Sequence, residues 1–208
     1  MSKTIFITGG SSGIGKCIGE YLTQKGYEVY GSSRNPEKYK DSKFTLVELD
    51  VTKPDSIQKC VENLLIKTGH IDVLINNAGA GITGPLEEIP MEMVKTNFET
   101  NLFGPIGMIN AVLPSMRAQK AGLIINITSI AGYMGLPFRG VYSASKGALE
   151  IITEAYRIPH WCQSRERRRG GRSATWPVCF ELASVRDQLY QACVLGPEVE
   201  SGRGWGCK

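Results

Sequence analysis

At 208 residues, 42% apolar and with a formal net charge of +4, the chain has the size and composition of one globular domain with a substantial core. No apolar run approaches the ~18 residues of a membrane span, and the opening MSKTIFITGG lacks the apolar core of a signal peptide, so a cytoplasmic protein with no membrane partner is expected. The six cysteines include no CxxC pair, which argues against a metal site or a disulfide framework and for free thiols.

Short β-branched runs alternate with segments of helical period, the pattern of parallel strands joined by crossover helices. Residues 3–8 read as a first strand. Ile14, Ile18, Tyr21 and Leu22 then mark one face of a helix that ends near Gly26, where a glycine can take the left-handed cap. Residues 27–32 and 44–49 read as the second and third strands. Ile57, Val61, Leu64 and Leu65 stripe a helix that opens at Pro54, a residue favoured in a first turn. Residues 71–75 make a fourth strand, residues 91–119 one long helix, and the apolar residues 123–127 a fifth strand.

Between the first strand and the first helix lies TGGSSGIG, residues 8–15. Its glycines allow a tight turn and close approach of the backbone to a pyrophosphate, whose charge the free N–H groups and dipole of the helix would meet. A glycine-rich turn alone would look the same; the strand before it and the amphipathic helix after it favour a nucleotide site. Where a carboxylate would bind an NAD ribose, at the end of the second strand, stand Ser33 and Arg34. A guanidinium there matches a 2′-phosphate and favours NADP, with a solvated loop arginine as the plainer reading.

Tyr142 and Lys146 in YSASK lie four residues apart, on one face of a helix. Such a pair arises often by chance. Ser129, 13 residues before Tyr142 and just beyond the fifth strand, adds a polar group at the sheet edge where parallel sheets bind ligands. A phenol, with a pKa of about 10, is a poor base near neutrality, and a neighbouring cation favours its ionised form. The pair therefore suits moving a hydroxyl proton while a hydride leaves or reaches the same carbon.

These motifs, in this order over residues 3–157, resemble those of the short-chain dehydrogenase/reductase family: the G-x-x-x-G-x-G loop, NNAG at residues 76–79, TNLFG at residues 100–104, Ser129 and YSASK. The resemblance implies a doubly wound α/β parallel sheet of Rossmann type with strand order 3-2-1-4-5. It implies an oxidoreductase that interconverts a small-molecule alcohol and a carbonyl with NADP, NAD being the second choice, and that forms a homo-oligomer. The nucleotide contacts it implies are Thr8, Gly9, Ser11, Ser12, Gly13, Ile14, Gly15, Arg34, Asp50, Val51, Asn77, Ala78, Gly79, Tyr142 and Lys146, with Asn76 stabilising the sheet. Tyr142 would transfer the proton, Lys146 assist it and hold the nicotinamide ribose, Ser129 bond the substrate oxygen, and Asn101 anchor a water in a proton relay. No metal is required by this scheme. Tyr133, Met134 and Phe138 resemble pocket-lining positions of steroid- and retinol-type relatives, which points to an apolar substrate.

Beyond Arg157 the composition changes: all three tryptophans lie there, with seven arginines to one lysine and a single isoleucine. Residues 158–208 are expected to be a disordered basic tail to a domain of residues 1–157. Arg165 to Arg172, RERRRGGR, reads as a solvated stretch rather than an RNA-binding one. The family's sixth strand and its P-G-x-x-x-T segment are not visible, so the fifth strand is expected to be a bare edge, with residues 178–182 and 189–195 the only apolar runs available to cover it. A truncated dehydrogenase that keeps only some cofactor-binding elements is the alternative to an active enzyme.

Overall fold

The computed structural model describes residues 2–157 and the strand at residues 178–183. Six strands form one parallel sheet in the order β3-β2-β1-β4-β5-β6. They are β1 (Thr4–Ile7), β2 (Glu28–Ser33), β3 (Thr45–Glu48), β4 (Val73–Asn76), β5 (Gly122–Ile127) and β6 (Val178–Ala183). The helices α1 (Gly13–Gln24), α2 (Pro54–Thr68), α3 (Met91–Phe98), α4 (Gly104–Gln119) and α5 (Gly140–Arg157) connect them. The doubly wound architecture expected from the alternating runs is present, with strand boundaries within two residues of those read from the sequence.

Alternate residues of each strand face opposite sides of the sheet, and this divides the core in two. Phe6, Tyr30, Leu74 and Ile124 pack with Ile57, Val61, Ile109, Val112 and Met116 of α2 and α4. On the other side, Ile5, Ile7, Val29, Ile75, Ile125 and Ile127 pack with Ile18 of α1 and with Phe44. Gly26, at φ 84, turns the chain after α1, and Gly69, at φ 78, caps α2 in the left-handed region.

Two departures from the sequence reading bear on function. The single helix expected over residues 91–119 is broken by a π turn at Glu99–Phe103, between α3 and α4. The fifth strand is not a bare edge. Strand β6 runs parallel to it along its whole length, from Gly122 opposite Val178 to Ile127 opposite Ala183. The six residues of β6 match the six of β5, and this is enough to satisfy the ladder groups that an uncovered strand would leave open. The arginine-rich segment at residues 165–172 and the run at residues 189–195 lie outside the described residues.

A polar ladder ties the middle of this sheet to α5. Asn76 Nδ2 donates to Asn126 Oδ1 at 2.8 Å, Asn126 Nδ2 to Thr153 Oγ1 at 2.7 Å, and Thr153 Oγ1 to Leu149 O at 2.7 Å. All three side chains are buried. Asn126→Ala leaves the Asn76 amide without its acceptor and removes a donor from Thr153. It is expected to cost about 2 kcal/mol, the usual penalty of an orphaned buried donor, read as a lower urea midpoint at unchanged slope. An unchanged midpoint would show that the ladder adds nothing to stability.

Candidate active site

The carboxyl ends of β1, β2, β4 and β5 present the motif residues along one edge of the sheet. At β1 the chain leaves Ile7 and is stitched at once to the segment after β4. Thr8 Oγ1 accepts from the backbone N–H groups of Asn77 and Ala78, both at 3.0 Å, and Asn77 Nδ2 donates to the carbonyls of Thr8 and Gly9 at 3.0 and 3.1 Å. Gly9 sits at φ 66, and a Cβ there would lie 3.0 Å from the Cα of Ala78. At Gly15 a Cβ would collide with the carbonyl of Gly9 and the side-chain amide of Asn77. The loop is thus fitted against residues 77–78 with no room for a side chain at Gly9 or Gly15. Ser32 completes the seam, its Oγ accepting from Gly9 N at 3.1 Å and its carbonyl from Gly10 N at 2.9 Å.

Ser12 precedes α1 with extended backbone, and its side chain makes no capping bond. The first intrahelical bond runs from Lys16 N to Ser12 O, which leaves the N–H groups of the first turn open at the loop. Ser12, Gly13 and Ile14 are exposed there and Ser11 is half-buried. Backbone donors at a helix N-terminus, lined by glycines that let a ligand approach, fit the pyrophosphate of a dinucleotide.

Arg34 is exposed just past β2. Asp50, past β3, is partly desolvated, which raises its pKa, but hydrogen bonds from the Thr52 hydroxyl and N–H, with Lys53 and Arg34 beyond them, outweigh this and hold the carboxyl below its ordinary range. Val51 packs where Gly104 leaves space: a Cβ on that glycine would lie 3.0 Å from Val51 Cβ.

At the other end of the edge, Lys146 is 5% exposed and donates from Nζ to the carbonyl of Ile127 at 2.8 Å. Tyr142 lies one turn earlier on α5 and is half-buried, with the Arg139 guanidinium 5.9 Å from its ring centroid. Ser129 follows β5 and opens a short 3-10 turn, its Oγ accepting from Ala131 N at 3.2 Å. Gly79 closes the gap: a Cβ there would stand 3.2 Å from Asn101 Oδ1 and 3.4 Å from Lys146 Nζ. The buried Asn101 and Lys146 side chains and the end of β5 therefore meet beneath Gly79, which is itself exposed.

Asn101 itself is fully buried in the π turn and fully engaged. Its Oδ1 accepts from Ala80 N at 2.8 Å. Its Nδ2 faces Ala80 O at 2.9 Å, Ser145 Oγ at 3.0 Å and Asn97 Oδ1 at 3.1 Å. Asn97 and Ser145 are partners of the Asn101 amide that the motif reading passed over. The signal for the first was present as an asparagine pair spaced i, i+4, and the second sits inside YSASK. Among the described residues no group of His, Cys, Asp or Glu could hold a metal, and no helix is long and apolar enough to cross a membrane.

Burial pushes the pKa of Lys146 down to about 8. Its folded value lies below its unfolded value of 10.5, so in this window the unfolded chain binds more protons, and stability rises with pH from about 8 towards 10.5. Lys146→Met removes the buried cation. Without nucleotide, it is expected to melt at a higher temperature than the parent at pH 7, with the difference shrinking as the pH passes 8. Parallel melting curves across pH would show that the ammonium carries no desolvation cost.

The short chain dehydrogenase model matches residues 3–160. The chain belongs to that family. This short chain dehydrogenase is 48% identical over 153 residues to the 3-ketodihydrosphingosine reductase of Bacteroides thetaiotaomicron, covering 74% of this chain and 56% of that protein. It is 38% identical over 164 residues to the NADPH-dependent 3-dehydrocapnine reductase of Ornithobacterium rhinotracheale, covering 73% and 58%. Retinol dehydrogenase 8 of Homo sapiens matches at 36% over 169 residues, covering 75% and 53%. The dehydrogenase chain thus spans about half the length of these curated relatives. Among solved structures, a metagenomic short-chain oxidoreductase in complex with NADP superposes with TM-score 0.76 at 28% identity, over 88% of this chain and 82% of the other.

Proposed function

We propose that this short chain dehydrogenase binds NADP and interconverts an alcohol and a carbonyl compound. The observation that carries the reading is a cation placed where little but chemistry explains it: Lys146 is buried, one turn from the half-buried Tyr142, between the end of β5 and the Asn101 amide. A buried ammonium costs stability, and a catalytic one repays that cost in rate.

NADP, when bound, supplies or accepts the hydride. The open first turn of α1 and the glycine loop from Thr8 to Gly15 suit its pyrophosphate, and Arg34 suits its 2′-phosphate. Asp50 and Val51 fall at the adenine end, and Asn77, Ala78 and Gly79 line the approach to the nicotinamide end. Tyr142 exchanges the proton of the substrate hydroxyl, Lys146 places positive charge beside it, and Ser129 bonds the substrate oxygen. The side-chain donors of Asn101 are all engaged within the protein. Any relay water therefore meets its backbone or the remaining Oδ1 lone pair.

For the substrate, Tyr133, Met134 and Phe138 stand 67, 55 and 62% exposed on the stretch between Ser129 and α5. Relatives are named for retinol and for 3-ketodihydrosphingosine, and a ketone with an apolar chain is the class that such a surface would bind. The test is oxidation of NADPH with a homologous series of straight-chain ketones. The specificity constant is expected to rise about threefold per methylene over the first members, and Phe138→Ser should flatten that rise. Tight NADPH binding with no turnover of any ketone would instead identify the alternative, a chain that keeps only cofactor-binding elements.

A further inference from the structure

Three acceptors surround the two hydrogens of the Asn101 side-chain amide: Ala80 O at 2.9 Å, Ser145 Oγ at 3.0 Å and Asn97 Oδ1 at 3.1 Å. All three side chains are buried, Asn97 to 4% exposure and Asn101 and Ser145 completely. Each flanking group is itself fixed. Asn97 Nδ2 donates to Ala80 O at 2.8 Å, and Ser145 Oγ donates to the carbonyl of Tyr142 at 2.8 Å. Because the Ser145 proton is committed to Tyr142, its oxygen is left to accept from Asn101. One polar chain therefore runs from α3 through the π turn to the turn of α5 that carries Tyr142 and Lys146, with the segment after β4 bonded to its middle.

We propose that Asn97 and Ser145 are paired positioning residues that lock the Asn101 amide, and that either one alone is sufficient to hold it. The count of hydrogens leads to this pairing. With Asn97 lost, Ala80 O and Ser145 Oγ still accept both N–H groups. With the Ser145 hydroxyl lost, Ala80 O and Asn97 Oδ1 do so. With both lost, one acceptor remains for two donors on a side chain with no exposed surface, and an N–H is orphaned. The amide then turns to find a partner, and the π turn and the Ala80 segment that it fastens move with it.

The catalytic part of this inference rests on the function proposed above, and its test separates the two. Asn97→Leu and Ser145→Ala are expected to lower kcat by less than about threefold each, with KM for NADPH unchanged. The double variant should lose about a hundredfold, far beyond the product of the singles. Losses that multiply, or a single variant as impaired as the double, would overturn the pairing. A role in packing alone predicts independent effects, since each of the two substitutions would disturb a different neighbour.

Independently of turnover, hydrogen exchange at the Ala80 amide, which donates to Asn101 Oδ1, is expected to stay slow in both singles and to accelerate in the double. Uniform exchange across the four proteins would sink the proposal even if the chain proves active. If the parent shows no turnover while exchange follows the expected pattern, the proposed function fails and the lock stands.

Discussion

Replacing Tyr142 by Phe is expected to abolish turnover, by about a thousandfold or more, while leaving NADPH binding within about twofold of the parent. The ring is half-buried on the first turn of α5 with the Arg139 guanidinium over its face, and those contacts survive the loss of the hydroxyl. What disappears is the hydroxyl proposed to exchange the substrate's proton. Lys146→Met is expected to differ in kind: it should lower both turnover and nucleotide affinity, because the function proposed for its ammonium is to serve both the tyrosine and the nicotinamide ribose. Single-turnover rates and nucleotide titrations on the two variants separate these outcomes. If Tyr142→Phe retained most of the activity, the proton would have to travel by another group, and the mechanism proposed for this site would be wrong.

Arg34→Asp is expected to reverse coenzyme preference, moving the ratio of specificity constants for NADPH over NADH by about a hundredfold, the worth of one charge-assisted contact with a phosphate. The direction follows from what surrounds the residue. Arg34 is exposed past the end of β2 and enters no ion pair among the described residues. The nearby Asp50 carboxylate is served by Thr52 and Lys53. The guanidinium is thus available to a 2′-phosphate, and an aspartate in its place would accept from the ribose hydroxyls and repel the phosphate. If activity is too low to compare, dissociation constants for the two nucleotides serve. Equal preference in the parent chain would reduce Arg34 to a solvated loop residue.

The parts of the fold that were legible in the sequence share a cause. Strands β1, β4 and β5 are buried on both faces, so their composition is nearly continuous Ile, Leu and Val whichever side is considered. Helices α1 and α2 bury one stripe each and end beside Gly26 and Gly69, where local chemistry alone dictates the stop. The π turn was missed although the sequence carries a sign of it: Pro105, directly after Gly104, has no N–H to give the carbonyl of Asn101, so the regular ladder cannot run through this point. The bond from Ala80 N to the Asn101 side chain, between residues remote in sequence, has no such local sign. Asn101 was found from its motif, whereas Asn97 and Ser145, though beside it in the sequence patterns, were passed over because their importance lies in which amide they surround. Residues 178–182 were named as one of two runs that could cover β5 but were not expected to, because a short apolar run preceded by proline gives little sign of its partner, which is the open side of β5.

That last pairing has a consequence for how the molecule is made. Strand β5 bonds on one side to β4, which precedes it, and on the other to a strand that begins only at Val178. Everything else in the sheet can assemble once the ribosome has released Ile127, but one flank of β5 must wait for a much later stretch of polypeptide to emerge. Elongation at about 5–20 residues per second makes that wait several seconds, long compared with collapse of the preceding strands and helices. During it the nascent chain displays Leu123, Ile124 and Ile125 beside an open hydrogen-bonding flank, the kind of surface that chaperones shield and that neighbouring nascent chains can capture. The yield of folded protein should therefore respond to translation speed over codons 128–183 more than to speed anywhere earlier in the message.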